Sequence, residues 1–260
     1  MAFIHVATPY TMAVVKRQYI VWLKLIWSSL AINIANPILF LFAFGFGLGR
    51  FIDTIGGVSY LVYVVPGMVA YSAMFAASFE TTIGSFSRFY MLRTWDATLA
   101  TPVTLSELLF GEVLWASLKA MLAAVSVLIV GWLWGGIPEF TGGLIVLPII
   151  FVASVGFACY GLLATSLARG YEFFAYFFTF WVTPMFIFSG VFFEIEVFPL
   201  PVQIIAWALP MTHLVAIIRP LTAGLPLDLG MVAVHLGYTM LLSVIAFTFA
   251  YRRMRKRMFD

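Results

Sequence analysis

Charge is scarce in this chain. Asp, Glu, Lys and Arg make up 10% of its 260 residues, where an ordinary soluble domain carries about 25%. A water-soluble enzyme is excluded on that ground. Cysteine is limited to Cys159, which rules out a disulfide framework and a cysteine-ligated zinc or iron–sulfur site. Three histidines, His5, His213 and His235, leave little for a histidine metal cluster, so no metal site is expected. No stretch matches G-x-x-x-x-G-K-[ST], so the chain cannot cradle ATP phosphates by itself. Gly45, Gly47 and Gly49 are no nucleotide loop, because they end an apolar run with no strand before it; they read as helix packing or termination. Internal repeats and low-complexity segments are lacking, and residues 1–260 read as one domain. No cofactor, no catalytic residue and no nucleic-acid partner is expected.

What the chain has is apolar sequence. Hydrophobic residues make up 63% and the mean hydropathy is +1.07. At about 20 residues per transmembrane helix, the length accommodates roughly six spans and no soluble nucleotide-binding domain of about 200 residues. The expected fold is an all-α membrane protein of six transmembrane helices, at about 30–48, 60–79, 106–134, 144–167, 173–193 and 229–250. Asn36-Pro37 predicts a kink in the first. The third follows a capping box, Thr104-Leu105-Ser106-Glu107, just after Pro102. Residues 9–28 do not follow the pattern of a signal peptide. Met12, Val15, Tyr19, Trp22, Leu23 and Ile26 fall on one helical face and Lys16, Arg17, Lys24 and Ser28 on the other, which predicts an amphipathic helix in the membrane interface.

Charge sets the orientation. With six spans, Lys16, Arg17, Lys24, Arg88, Arg93, Arg169, Arg252, Arg253, Arg255, Lys256 and Arg257 share one side, against Arg50 and Arg219 on the other and Lys119 within a span. The positive-inside rule then places both termini in the cytoplasm.

Several segments carry candidate function. After the run from Glu194 to Pro201, two apolar pieces, 202–209 and 212–218, are divided by Pro210 and closed by Arg219-Pro220. Eight helical residues reach only ~12 Å, so neither crosses. An external re-entrant helical hairpin built on Pro199, Pro201, Pro210, His213 and Arg219 fits. In the fifth span Tyr176, Thr179, Thr183 and Gly190 form a polar-to-small stripe suited to a conduit wall, with Phe173, Phe177, Phe180 and Phe188 mainly elsewhere. Pro184 frees the carbonyl of Phe180 and predicts a bend. Lys119 lies ~22 Å along the third helix from Thr104, and Glu112 is ~10 Å away along the same face, too far to pair directly. Such a lysine is either ion-paired with another helix, snorkelling, or in contact with an anionic substrate.

The connection 88–102 is long. Trp95, Asp96, Ala97, Thr98, Leu99 and Ala100 predict a short helix with Thr94 as N-cap and Asp96 in its first turn. An exposed Trp and Leu there read either as a docking knob for a soluble partner or as a helix lying on lipid. An intramembrane hydrolase using Ser189 and His235 is a weaker reading, because Ile187 stands where a glycine usually precedes the nucleophile. An ion-coupled secondary transporter is the other alternative, and central carboxylates and an inverted repeat are what it lacks.

Taken in order, Pro66-Gly67, the loop from Thr94 to Pro102, Ser189-Gly190 with Phe198-Pro199 and Leu200-Pro201, and Leu209-Pro210-Met211-Thr212-His213 with Arg219-Pro220 resemble the type-2 ABC exporter permeases. The similarity covers essentially the whole chain and is greatest to the nodulation protein J subfamily, which exports lipo-oligosaccharides. The resemblance implies a transport subunit in the bacterial inner membrane that is itself no enzyme. It implies a homodimer in membrane lipid, bound to two copies of an ABC ATP-binding subunit that carry ATP and Mg. Trp95 to Ala100 would be the coupling helix, and the first, second and fifth helices would line a pathway between protomers, making Tyr176, Thr179 and Thr183 wall positions. The substrate would be a lipo-oligosaccharide, polysaccharide or drug, moved by alternating access. The acidic pair Glu194 and Glu196 departs from the pattern and argues against an anionic head group passing close by.

Overall fold

A computed structural model of the chain describes residues 8–259, with side chains at all of these except 28–30, 32–34, 36, 37 and 46. Helix α1, Pro9–Leu23, starts where the Thr8 hydroxyl accepts from the Thr11 N–H and Pro9 occupies the first turn. Its buried face is Thr11, Val14 and Gln18, laid against α5 over Gly111. Of the apolar face read from the sequence, Met12, Tyr19 and Leu23 are exposed, Val15, Trp22 and Ile26 are half-buried, and Tyr19 and Trp22 meet Trp115 of the later helix edge-on. The helix also ends at Leu23 rather than 28, and α2 begins at Ile26. Helix α2, Ile26–Phe42, runs on through a π turn, Ala43–Gly47, and a 3-10 turn, Leu48–Arg50. The kink expected at Asn36-Pro37 rests on side chains outside those described.

A two-stranded ribbon follows, β1 Thr54–Ile55 and β2 Val58–Ser59, turned by Gly56 and Gly57 at φ +59° and +79°. Both values need glycine, as in a two-residue hairpin turn. Helix α3, Tyr60–Phe79, is capped by the Ser59 hydroxyl and continues through π turns Glu80–Gly84 and Ser87–Met91. It therefore outruns the expected 60–79 by twelve residues, to Met91. Its most apolar stretch is 89% buried, against 17% for that of the last helix, α11. Thus α3 is the axis of the described structure and α11 is peripheral.

The short helix α4, Thr94–Leu99, precedes α5, Leu105–Leu133, whose capping box forms as read: Thr104 and Glu107 satisfy each other's backbone N–H groups. Helix α6, Phe140–Leu167, packs on α3, α5 and α11. Next come α7, Glu172–Phe177, a π turn, Phe178–Val182, and α8, Thr183–Phe188. The bend expected from Pro184 takes the form of this π turn. The Thr183 N–H reaches back to the Phe178 carbonyl, and Pro184 sits in the first turn of α8, where a missing N–H is harmless.

Helices α9, Leu200–Ala208, and α10, Pro210–Ala223, meet at 85°. Arg219-Pro220 does not close α10, which runs to Ala223 and stops at Gly224 in the left-handed region. Helix α11, Leu229–Phe259, carries the basic tail within the helix, beyond the expected end at 250. Tyr60–Met91, Leu105–Leu133, Phe140–Leu167 and Leu229–Phe259 are each long and apolar enough to cross a bilayer alone. Ile38–Arg50 and Glu172–Phe188 are apolar but shorter, and α9 with α10 qualifies only as a bent pair. The chain is an all-α, multi-pass membrane protein with one small β ribbon.

Candidate coupling site and transport face

At the end of the molecule that carries α4, four charged side chains form a buried, neutral cluster. Arg88, in the second π turn of α3, places Nη1 2.8 Å from Glu80 Oε1, and its Nε and Nη2 both donate to Glu112 on α5. Glu80 takes the Lys119 ammonium on its other oxygen at 2.6 Å. Glu112 is fully buried and accepts three further bonds: from Gln18 of α1 at 2.7 Å, from Ser85 at 2.8 Å, and from the Trp95 indole N–H of α4 at 3.1 Å. One carboxylate thus joins α1, α3, α4 and α5. Two acids against two bases leave no net charge, and each base is hydrogen-bonded to a carboxylate, which is the condition for holding ions away from water. The π turns re-aim Glu80 and Arg88 toward common partners, as local over-widening of a helix does.

This geometry alters the reading of α4. Trp95 is fully buried, its ring tilted against that of Phe89 with centroids 5.4 Å apart, rather than exposed as a docking knob. Its N–H needs a buried acceptor, and Glu112 supplies one. Leu99 is half-buried, while Asp96, Ala97 and Ala100 face out and Thr98 is half-buried with its hydroxyl on the Thr94 carbonyl. The exposed apolar residues of this corner are Met91 and Leu92, at 62% and 64%. Thr94 is not the N-cap either. It is the first helical residue, its hydroxyl donating to the Arg88 carbonyl, and Arg93 caps at φ +51°. A non-glycine residue in that region stores strain and is held there by its surroundings.

Lys119, read both as a paired lysine and as a conduit candidate, is neutralised by Glu80, thirty-nine residues away in sequence. Glu112 and Lys119 do not touch and are linked only through Arg88 and Glu80. Gln18, Glu80, Ser85 and Arg88 were not singled out as site residues from the sequence. The available signal was the presence of two acids and two bases in or beside otherwise apolar stretches, where charges are paired by default.

On the fifth apolar stretch Tyr176, Thr179 and Thr183 are all exposed, and the Thr183 hydroxyl is turned back onto the Phe178 carbonyl at 3.0 Å. Phe180 joins this face, stacking on Tyr176 with ring centroids 6.5 Å apart, as residues four apart on a helix do. Gly190 leaves the stripe and forms a buried turn at φ +74°.

At the opposite end Pro199 caps α9, Pro201 lies in its first turn and Pro210 in that of α10. The bend is closed by the Thr212 hydroxyl on the Ala206 carbonyl at 2.5 Å. Arg219 ties the pair down: Nε donates to the Tyr63 carbonyl at 3.2 Å, Nη2 to the Gly190 carbonyl, and the guanidinium lies 3.7 Å over the Tyr63 ring. His213 donates Nε2–H to the Trp207 carbonyl at 2.9 Å, and its Nδ1 lies 2.7 Å from His235 Nδ1 on α11. His235 is therefore engaged with His213, while the buried Ser189 hydroxyl has no hydrogen-bond partner. The serine–histidine dyad is not assembled.

Residues 10–222 match the ABC-2 type transporter family. The chain belongs to that family. It is 36% identical over 247 residues to nodulation protein J of Rhizobium leguminosarum bv. viciae, covering 95% of this chain and 94% of that one. Identity to nodulation protein J of Rhizobium meliloti (strain 1021) is 36% over 246 residues, covering 95% and 93%. To that of Sinorhizobium fredii (strain NBRC 101917 / NGR234) it is 34% over 253 residues, covering 97% and 95%. An ABC-2 protein of this type is the membrane subunit of an exporter, a transport component rather than a catalyst.

Proposed function

We propose that this ABC-2 permease moves an amphiphile with a polar, sugar-bearing head, such as a lipo-oligosaccharide, across the bacterial inner membrane as a homodimer. Two copies of a separate ABC ATP-binding subunit, carrying ATP and Mg, drive it. Six spans place both termini and α4 in the cytoplasm, with α2 and the Glu172–Phe188 stretch as first and fifth spans. The α9–α10 pair is a re-entrant hairpin on the outer side, too short in either arm to cross.

The observation that carries this reading is the bond from Trp95 to buried Glu112. It makes α4 a handle on the spanning helices instead of a loose loop. A soluble motor gripping Met91, Leu92, Asp96, Ala97 and Ala100 displaces Trp95, and the Glu112 cluster passes the displacement to α3, the buried axis, and to α5 and α1. Differential grip in the ATP-bound and ATP-free states then alternates the access of the pathway. Thr179 and Thr183 form the exposed wall between protomers, where a polar head escapes the cost of unsatisfied groups in hydrocarbon while its acyl tail stays in lipid.

The test is transport of a labelled lipo-oligosaccharide into inverted vesicles containing the chain and its ATP-binding subunit. Transport is expected to need hydrolysable ATP and to survive an uncoupler. Met91→Glu with Leu92→Glu is expected to abolish it by loss of subunit binding. Transport that collapses with the uncoupler at constant ATP overturns the proposal in favour of an ion-coupled carrier.

A further inference from the structure

Between the end of α6 and the last turns of α11 lies a cavity of about 250 Å³ lined by Ser166, Leu167, Arg169, Arg253, Lys256 and Arg257. Four of these six are cations, and among the described residues none of the four makes an ion pair. Glu172, the acid nearest to Arg169 in sequence, does not line the cavity. Arg257 is held at the wall by its own bonds: Nη1 donates to the Ala168 carbonyl at 2.6 Å, and the guanidinium lies 4.9 Å over the Phe89 ring. That leaves Arg169, Arg253 and Lys256 exposed and converging without a counter-charge. Like charges gathered in this way repel unless an anion sits among them.

Leu167 also lines a second, larger cavity of about 510 Å³ that runs away from the basic one. Its floor is α6 at Tyr160, Leu163 and Ala164, and α11 at Ile245 and Phe249 faces Phe177 across it. The floor from Leu167 to Tyr160 is ~10 Å long at 1.5 Å per residue. Along that length the walls are aliphatic and aromatic. A basic cavity that shares its Leu167 wall with an apolar groove has the polarity of one kind of occupant. The geometry points to a binding site for a single anionic phospholipid, its phosphate among Arg169, Arg253, Lys256 and Arg257 and an acyl chain along the groove. Basic cavities between spanning helices at the positive side of a membrane suit such head groups. The site lies where the fourth, fifth and sixth spans meet, and its groove adjoins the Thr179–Thr183 wall, because Tyr176 and Phe180 of that face also line it.

The full-length chain is to be purified into mixed micelles of phosphatidylglycerol and phosphatidylcholine at equal concentration, and the retained lipid measured by mass spectrometry. Each cation facing an anionic head is worth roughly fivefold, so wild type is expected to prefer phosphatidylglycerol by at least roughly tenfold after screening. Arg169→Gln with Arg253→Gln and Lys256→Gln changes exposed side chains only and is expected to bring the preference near parity. Ile245→Trp fills the groove and is expected to lower retention of both lipids while leaving the head-group cations in place. A wild-type chain with no preference, or a triple variant that keeps it, overturns the site. Displacement by inorganic phosphate, with Ile245→Trp without effect, overturns the lipid in favour of a free-anion site. Loss of bound lipid when the ATP-binding subunit is added reassigns the cations to that partner.

Discussion

Replacing Glu112 by glutamine removes one of the two negative charges that neutralise Arg88 and Lys119. The amide oxygen still accepts from Trp95 and Gln18, but the amide nitrogen replaces the oxygen that accepts from Ser85 and Arg88 Nη2, so the change removes those bonds together with the charge. The three ion-paired partners around it, Glu80, Arg88 and Lys119, are 15% exposed or less at the side chain, so one uncompensated positive charge is left out of contact with water. Breaking a buried pair in this way costs about 3–5 kcal/mol. Lys119→Met leaves the opposite imbalance, at the low end of that range because the ammonium keeps some solvent. Combining Glu112→Gln with Lys119→Met leaves Arg88 and Glu80 as a neutral pair. The double variant is therefore expected to be more stable than the sum of the two losses by about 2–3 kcal/mol, near the upper limit for coupled neighbours. The assay is unfolding in mixed micelles titrated with SDS, followed by tryptophan fluorescence. A double variant that loses the full sum, or more, refutes the claim that the four charges act as one neutral unit.

Other consequences are simpler to read. Arg93→Gly relieves a left-handed residue before α4 and is expected to stabilise the chain by about 1 kcal/mol; a lower midpoint in the same titration contradicts the strain. Gly142→Ala puts a methyl into the backbone carbonyl of Leu221 and is expected to cost about 1–3 kcal/mol; an unchanged midpoint means α6 and α10 approach less closely. Arg219→Lys loses one of the two carbonyl bonds and the contact with the Tyr63 ring, weakening the hairpin anchor by about 2 kcal/mol. Labelling of a cysteine introduced at Gln203 is expected to speed up, because the native Cys159 is buried and silent; an unchanged rate contradicts the anchor.

The elements legible in the sequence are those set by local chemistry. The capping box at Thr104 and Glu107, the long apolar runs and the prolines that start α9 and α10 all read directly from short windows. The charge cluster does not, because Glu112 meets partners 94, 27, 24 and 17 residues away and no local pattern reports such distances. The π turns are equally silent, since one extra residue in a helical turn leaves no mark on composition. They carry α3 past 79 to Met91. The direction of Trp95 was lost for a related reason: a six-residue helix is too short for periodicity to say which side is in. Pro220 misled because a proline near a helix end reads as a stop, whereas α10 continues to Ala223.

The central claim is that this permease is driven through α4 by a separate motor on the cytoplasmic face. Ala97 is exposed on that helix, so a cysteine placed there is the reactive one. A short bifunctional crosslinker applied to membranes containing Ala97→Cys and the ABC ATP-binding subunit is expected to join the two, with a yield that differs between ATP and ADP. ATP-driven transport by a chain whose position 97 never crosslinks, or is labelled only from the outer surface, would contradict the account.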